Sequence, residues 1–481
     1  MRGAAAIITG LSLSLAVNAC AGKPRLPVAP RSFAAAQAMA AGAVTEAPAP
    51  YWLSDLGSVE ISGFAVEALR SNPELKAAEG RAEAARHRAR GARGGLLPTL
   101  TLGLTGERIE TPVPGSQART REEFMTSSVT STWEPDVWGR LTARALASDL
   151  NADALEADLD AARLSTAGRA ASDWVDLLAA QEQHALARED LDTRVRALDL
   201  TQRRYERGLA DALALRTARS QVASARAGEA QAADALLISA RRLQETLGRY
   251  PDGALRAASE LPTLAALNAA GAPNDLLERR PDVVAAEQRM RAAGFRVHEA
   301  RAAMLPRLTL TASADGIGDR LTRIDDLDSM VTSLIAGLTA PIFRGGALRA
   351  ERRAASAEQR TAAADYVGAA LAAWREVEAA ISADASLAIR ERELASAAEE
   401  ARAAQTLAER EYARGVATIF ELIDAYTRRI DAERGLIDVR ANRVSNRILY
   451  HVALGGGAET GGLSPAAIAA APKHDAEEKA Q

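Results

Sequence analysis

The chain has 481 residues, of which 48% are hydrophobic but only 4% aromatic, and a formal net charge of −4 from 59 basic and 63 acidic side chains. Charge so nearly balanced leaves no basic footprint for a nucleic acid, and apolar content carried largely by alanine favours close-packed helices over one wide core. One cysteine cannot close an internal disulfide, and five scattered histidines (His87, His184, His298, His451 and His474) do not suggest a metal centre, so no metal or cofactor is expected.

The N-terminus reads MRGAAAIITGLSLSLAVNAC: Arg2, an uncharged apolar run, then Cys20. Residues 1–19 have the form of a secretory signal peptide, too short to persist as a transmembrane helix. The ending VNAC resembles a bacterial lipobox, in which the cysteine is acylated and becomes the first mature residue. The alternative is an ordinary signal peptide cut after VNA or ACA. Cys20 is thus the candidate lipidation site, carrying a diacylglycerol and an N-acyl chain such as palmitate. Residues 20–50, rich in Ala and Pro, read as a tether.

An internal repeat follows. The run NPELKAAEGRAEAARHRARGARGGLLPTLTL, from Asn72, matches RPDVVAAEQRMRAAGFRVHEARAAMLPRLTL, from Arg280, with Pro73 on Pro281, Glu79 on Glu287 and Pro98 on Pro306. Further on, Tyr205 falls on Tyr412 and Gly208 on Gly415, at nearly the same offset. The chain reads as a duplication: repeats at 51–250 and 276–455, a join at 251–275, and a disordered tail at 456–481.

Each repeat has one plan: a helix of about 20 to 25 residues, two strands around a polar loop, a very long helix, a glycine turn and a returning helix. The strands fall near 97–107, 124–134, 305–314 and 330–343. Leu100, Leu102 and Leu104 alternate with Thr99, Thr101 and Thr105; Leu308, Leu310, Ala312 and Ala314 alternate with Thr309, Thr311 and Ser313. In the last strand Leu334, Ala336, Leu338 and Ile342 oppose Ser333 and Thr339. Strands of about ten residues, apolar on one face and hydroxyl-bearing on the other, suit a membrane barrel with a wet lumen. Alternation alone also suits a soluble sheet. Four strands cannot close a barrel, and open edges are not tolerated in lipid, so a membrane reading requires several chains to share one barrel.

The long helices carry small residues at 4-3 spacing: positions 143, 147, 150, 154, 157, 161, 164, 168, 171, 175 and 178, and again 350, 354, 357, 361, 364, 368 and 371. That period specifies left-handed supercoiling, and small seam residues let backbones approach closely. A helix of about 65 residues is roughly 95 Å long at about 1.5 Å per residue.

Together the runs LLERRPDVVAAEQRMRAA, LPRLTL, WEPDVWGRL and APIFRGGALRA, with the paired Tyr/Gly turns, resemble the outer-membrane factors of tripartite efflux and type I secretion systems, most closely the lipoprotein branch serving resistance-nodulation-division multidrug pumps. The resemblance covers residues 50 to 455. It implies a mainly α fold with a small β part: four strands per chain joined in a homotrimeric 12-stranded outer-membrane barrel, continuous with a periplasmic tunnel of antiparallel coiled coils. It further implies a passive exit duct for small molecules, with an inner-membrane pump and a periplasmic adaptor as partners. Ala21, rather than an aspartate, after Cys20 fits sorting to the outer membrane. Protein secretion, metal efflux and a purely structural coiled-coil envelope lipoprotein are the alternatives. No P-loop lysine motif, nucleophile elbow or metal cluster points to an enzyme.

The resemblance also places the glycine turns at the periplasmic tip. Glu421 and Asp424 fall where the family carries constriction carboxylates, and threefold symmetry would crowd six of them and raise their pKa values. Tyr412 and Asp211 complete the candidate aperture set. The turns Gly208-Leu209 and Gly415-Val416 are the candidate adaptor contacts. Trp133 and Trp138 are candidates for the interfacial aromatic belt, or for packing where barrel meets tunnel.

Overall fold

The computed structural model describes residues 58–112, 119–265, 273–318 and 331–457, with positions 52, 53, 56, 114, 115, 117, 267, 462 and 463. Cys20, its signal and tether, and all of the 456–481 tail except 456, 457, 462 and 463 lie outside the described residues. Helices α1 (Val59–Ser71) and α2 (Pro73–Gly94) lead to strands β1 (Thr99–Pro112) and β2 (Arg119–Trp133), then helices α3 (Arg140–Glu206) and α4 (Ala212–Thr246). The second set is α5 (Pro273–Arg279), α6 (Pro281–Ala302), β3 (Arg307–Gly318), β4 (Val331–Thr339), α7 (Ala347–Arg414) and α8 (Ile419–Ala453). The helices α3 and α7 have 67 and 68 residues, and each runs unbroken to its glycine turn. The chain falls into two compact units, one built on Arg81–Glu156 and Ala285–Val367, the other on Ala157–Val284, the α1 region and the chain from Gly368.

The first unit holds an antiparallel sheet in the order β1-β2-β3-β4. Its register keeps the alternation coherent across all four strands. Leu100, Leu102 and Leu104 stand beside Ser131, Val129 and Ser127; Leu310 is opposite Trp133; Leu308 and Ala312 are opposite Leu338 and Leu334. The other face aligns Thr99, Thr101 and Thr105 with Thr132, Thr130 and Thr126, then Thr132 with Thr311 and Ser313 with Ser333. Ile335, opposite Thr311, and Val331, opposite Asp315, are apolar exceptions on that face, as are Ile109 and Phe124 towards the β1–β2 turn. The leucines of β1 and β4 are exposed, so one sheet face is an uncovered apolar surface. β1 and β4 each pair on one side only, leaving two open edges.

The strand ends differ from the sequence expectation around the β1–β2 turn, at the far end of β3, which runs to Gly318 rather than 314, and at the end of β4; the first and the last have local reasons. The β1–β2 ladder runs past the apolar alternation to Pro112 and Arg119, because Glu110 sits opposite Arg121 and binds it at 2.9 Å, with Arg108 also at 2.9 Å. β4 stops at Thr339 rather than 343, since Pro341 has no N–H to donate to a ladder. Both candidate belt tryptophans tie strand ends to neighbouring chain: Trp133 Nε1 donates to Leu96 O at 3.0 Å, and Trp138 Nε1 to Pro306 O at 2.6 Å. Trp138 therefore packs at the corner that starts α3.

The second unit is cored by Leu164, Ala171, Trp174, Leu178, Leu243 and Ile448, with Trp52, Leu53 and Ile61 against them. Gly168 is required there: a β-carbon on it would lie 2.8 Å from Val452 Cγ2. The join between repeats is pinned where it is described. Glu60 accepts from the backbone of Ala258 and Ser259 and from Trp174 Nε1 at 2.9, 3.2 and 3.1 Å. Those bonds hold its carboxyl below the ordinary range despite the opposing push of burial.

The 4-3 seams differ between repeats. Along α3, nine of the eleven seam positions, all but 150 and 161, are buried; along α7, all seven from 350 to 371 are exposed.

Candidate functional site

Both long helices end in the same device. In the first, Gly208 at φ 73° lets its N–H reach Tyr205 O at 2.9 Å while Leu209 N reaches Arg204 O at 2.8 Å. In the second, Gly415 at φ 82° repeats the pattern, with Tyr412 O at 3.0 Å and Val416 N on Glu411 O at 2.9 Å. This paired closure needs a left-handed residue after the last helical turn, which glycine adopts at little steric cost. The apolar residue after each glycine does not fold back on the helix. Leu209 and Val416 are exposed, and so are Leu213 and Phe420, each the second residue of a returning helix. Each protomer thus offers two apolar knobs on rigid turns.

Each returning helix is capped by the chemistry its sequence carries. Asp211 accepts from Ala214 N at 2.8 Å at the start of α4. At the start of α8, the TIFE run forms a capping box: Thr418 Oγ1 accepts from Glu421 N at 3.3 Å, and the Glu421 carboxylate takes the Thr418 N–H at 2.6 Å. Asp424 Oδ2 accepts from Arg428 Nε at 2.7 Å one turn further on.

Two of the aperture candidates are accordingly held by local contacts within the chain. Tyr412 does not line an opening. It is 3% exposed, its hydroxyl meets Thr201 Oγ1 at 2.7 Å, and its ring lies under the Arg204 guanidinium at 4.8 Å to the centroid. Arg204 also donates to the Tyr412 carbonyl. Asp211 holds a helix end, because a carboxylate with φ and ψ in the extended region is an effective N-cap. Within one chain, Glu421 is held below the ordinary carboxylate range by the Thr418 N–H and hydroxyl. Glu421 and Asp424 nevertheless stay exposed, one turn apart on α8.

Around Tyr412 the two hairpins share one small core of Ala197, Ala214, Ile419, Leu422 and Tyr426. Thr201 and Arg204 are the residues that sequence reasoning missed. The capping box was readable as Thr-x-x-Glu, but nothing near Arg204 in sequence indicates a ring 208 positions away. Among the described residues no cluster of three His, Cys, Asp or Glu is placed to hold a metal ion.

The sequence profile of the outer membrane efflux protein family matches residues 65–249 and 272–456, one copy per repeat. The chain is 30% identical over 462 residues to the pyoverdine export outer membrane protein OpmQ of Pseudomonas putida, covering 93% of this chain and 96% of that one. It is likewise 30% identical over 478 residues to the outer membrane protein OprJ of Pseudomonas aeruginosa, covering 96% and 98%. The crystal structure of the Campylobacter jejuni CmeC outer membrane channel superposes with a TM-score of 0.82 at 19% identity, covering 91% of this chain and 95% of that chain, a likeness of fold.

Proposed function

Because this chain belongs to the outer membrane efflux protein family, we propose that it is the exit duct of a tripartite pump, assembled as a trimer in the bacterial outer membrane and passing small molecules to the exterior. One observation carries the reading: a four-stranded sheet with an uncovered leucine face, a hydroxyl face in register, and two unpaired edges. In hydrocarbon every backbone N–H and C=O needs a partner, so β4 of one copy must pair with β1 of the next until the ring closes. Three copies give the 12 strands that the family reading requires.

The finer parts of the reading have separate supports. Cys20 at the end of VNAC supports a lipid anchor. The exposed Leu209 and Val416 on rigid turns support docking of a periplasmic adaptor, which joins the duct to an inner-membrane pump. A relative named for pyoverdine export supports a small-molecule cargo. Glu421 and Asp424, exposed on α8, support a ring of six carboxylates at the narrow end that favours cations.

Extraction from membranes in mild detergent, followed by unheated and heated gel electrophoresis and native mass spectrometry, tests the assembly. The expected result is a heat-sensitive species of three copies that conducts in planar bilayers. A stable inserted monomer would overturn it.

A further inference from the structure

We propose that the corner from β4 into α7 is a docking surface for anionic phospholipid headgroups, in the leaflet that meets the α7 end of that strand. The proposal rests on the membrane reading above. Ile342 lies three residues past the end of β4 at Thr339 and in sequence keeps the spacing of Leu334, Ala336 and Leu338, the apolar face of that strand. Ile342 and Phe343 are 93% and 87% exposed. Arg344, Arg349, Arg352 and Arg353 follow directly, all exposed, and none has an ion-pair or hydrogen-bond partner for its guanidinium among the described residues.

The helix also sorts its charges. At about 100° per residue, Arg349, Arg352, Arg353 and Arg360 fall in one arc of about 100°, with Glu351, Glu358 and Asp365 opposite. Arg349, Arg352 and Arg353 are therefore i, i+3 and i+4 neighbours of like charge, an arrangement that a helix alone disfavours and that an external anion relieves.

The duplicated corner in the first repeat is the internal control. There Pro135 and Asp136 stand in place of Ile342 and Phe343, and Thr142, Ala145 and Leu146 in place of the three helical arginines. There Glu134 binds Arg140 at 2.8 Å, and Asp136 accepts from Leu141 N and Thr142 N at 2.9 and 2.7 Å, so that Arg144 alone of the charged residues in that stretch is exposed with no partner among the described residues. One corner is closed on itself. The other presents apolar residues where the lipid face ends, with uncompensated guanidinium groups next in sequence. That is the chemistry of an acyl chain beneath a phosphate.

The test uses the full-length trimer in nanodiscs of phosphatidylcholine mixed with phosphatidylglycerol, and native mass spectrometry of the lipids retained. The parent is expected to retain phosphatidylglycerol above its bulk proportion. Replacing Arg349, Arg352 and Arg353 together by Gln should lower that enrichment at least about fivefold, the effect of about one cation at an anionic surface. Replacing the same three by Lys should preserve it, since the charge remains. Retention at the bulk ratio by the parent, or unchanged enrichment in the Gln variant, would overturn the proposal. Bulk-ratio retention by the parent combined with loss of the trimer in the Gln variant would assign the patch to a second copy instead. Insertion and trimer formation by the parent are read separately on an unheated gel, and their failure would remove the duct reading itself.

Discussion

The two repeats share one pattern but not one environment, and the long helices show the difference best. Along α3 the small-residue seam is covered by the chain itself: Ala143, Ala154 and Ala171 are fully buried, and Gly168 is held against Val452. Along α7 the same spacing, at Ala350, Ala354, Ala357, Thr361 and Ala364, faces outward, and a β-carbon on Gly368 would meet nothing within 4 Å. A seam of small residues specifies close approach of another helix, without saying whose. In the first repeat the partner is the same chain. In the second no described part of the same chain covers the seam, and in the proposed trimer that place falls to the next copy.

The largest effect should come from placing one charge in each seam. Ala154→Glu buries an unpaired carboxylate and should cost about 4 kcal/mol or more, so that folded protein is largely lost. Ala357→Glu should leave the helix content of the protomer intact by circular dichroism while abolishing the trimer on unheated gels. Equal damage by both substitutions would break the comparison, because the α7 seam would then be internal as well.

A smaller effect separates His451 from Gln244, which the repeat offset makes its counterpart. Gln244 bonds Asp252 at 2.7 Å and the Gly253 N–H at 2.8 Å, and does not titrate. His451 stacks on Trp52 at 5.5 Å, and burial together with Arg447 pushes it down to about 4 from 6.5. With the folded value depressed, the unfolded chain takes up the proton first. Stability is therefore complete above pH 6.5 and falls as the pH drops from there to about 4. The loss should be on the order of 1–3 kcal/mol, read as a falling thermal midpoint between neutral pH and pH 4.5. His451→Phe should flatten that slope. A slope unchanged in the variant would place the titration elsewhere.

The turns give the next step down. Tyr412 is buried against Thr201 and Arg204, whereas its counterpart Tyr205 is exposed. Tyr412→Phe should cost about 1 kcal/mol by removing the bond between the two buried hydroxyls, leaving Thr201 Oγ1 only its donation to Ala197 O at 2.8 Å, and Tyr205→Phe should cost nothing measurable. Chemical denaturation of the two variants decides this. Similar losses at both tyrosines would make the turns equivalent.

The smallest effect on stability, and one confined to conduction, belongs to the acids. The first repeat has Ala214 and Thr217 where the second has Glu421 and Asp424. Replacing both acids by Ala should leave the trimer intact, weaken cation preference in planar bilayers and relieve block by added divalent or trivalent cations. Conductance and block like the parent's would place any constriction at other residues. Glu421 also serves its cap, held below its ordinary 4.5, so that local contribution is present above pH 4.5 and fades as the pH falls through the lowered value.

Much of this protein was determined by local sequence. The duplication, the four strands with their leucine and threonine faces, the long helices and the two glycine turns all follow from periodicities of 2 and 3.5 and from positive φ, which neighbours within a few residues enforce. The caps at Asp211 and Thr418 are local too, although in sequence Asp211 is an aperture candidate. Only the tertiary structure decided which small-residue seam is covered, which of two equivalent tyrosines is buried, and that the arginines of the β4–α7 corner find no side-chain partner among the described residues while Glu134 holds Arg140 at the β2–α3 corner. Those outcomes depend on contacts between residues up to 240 or more positions apart, such as Arg429 with Glu189 at 2.7 Å, and a local pattern repeated in both halves is the same whichever helix comes to lie against it.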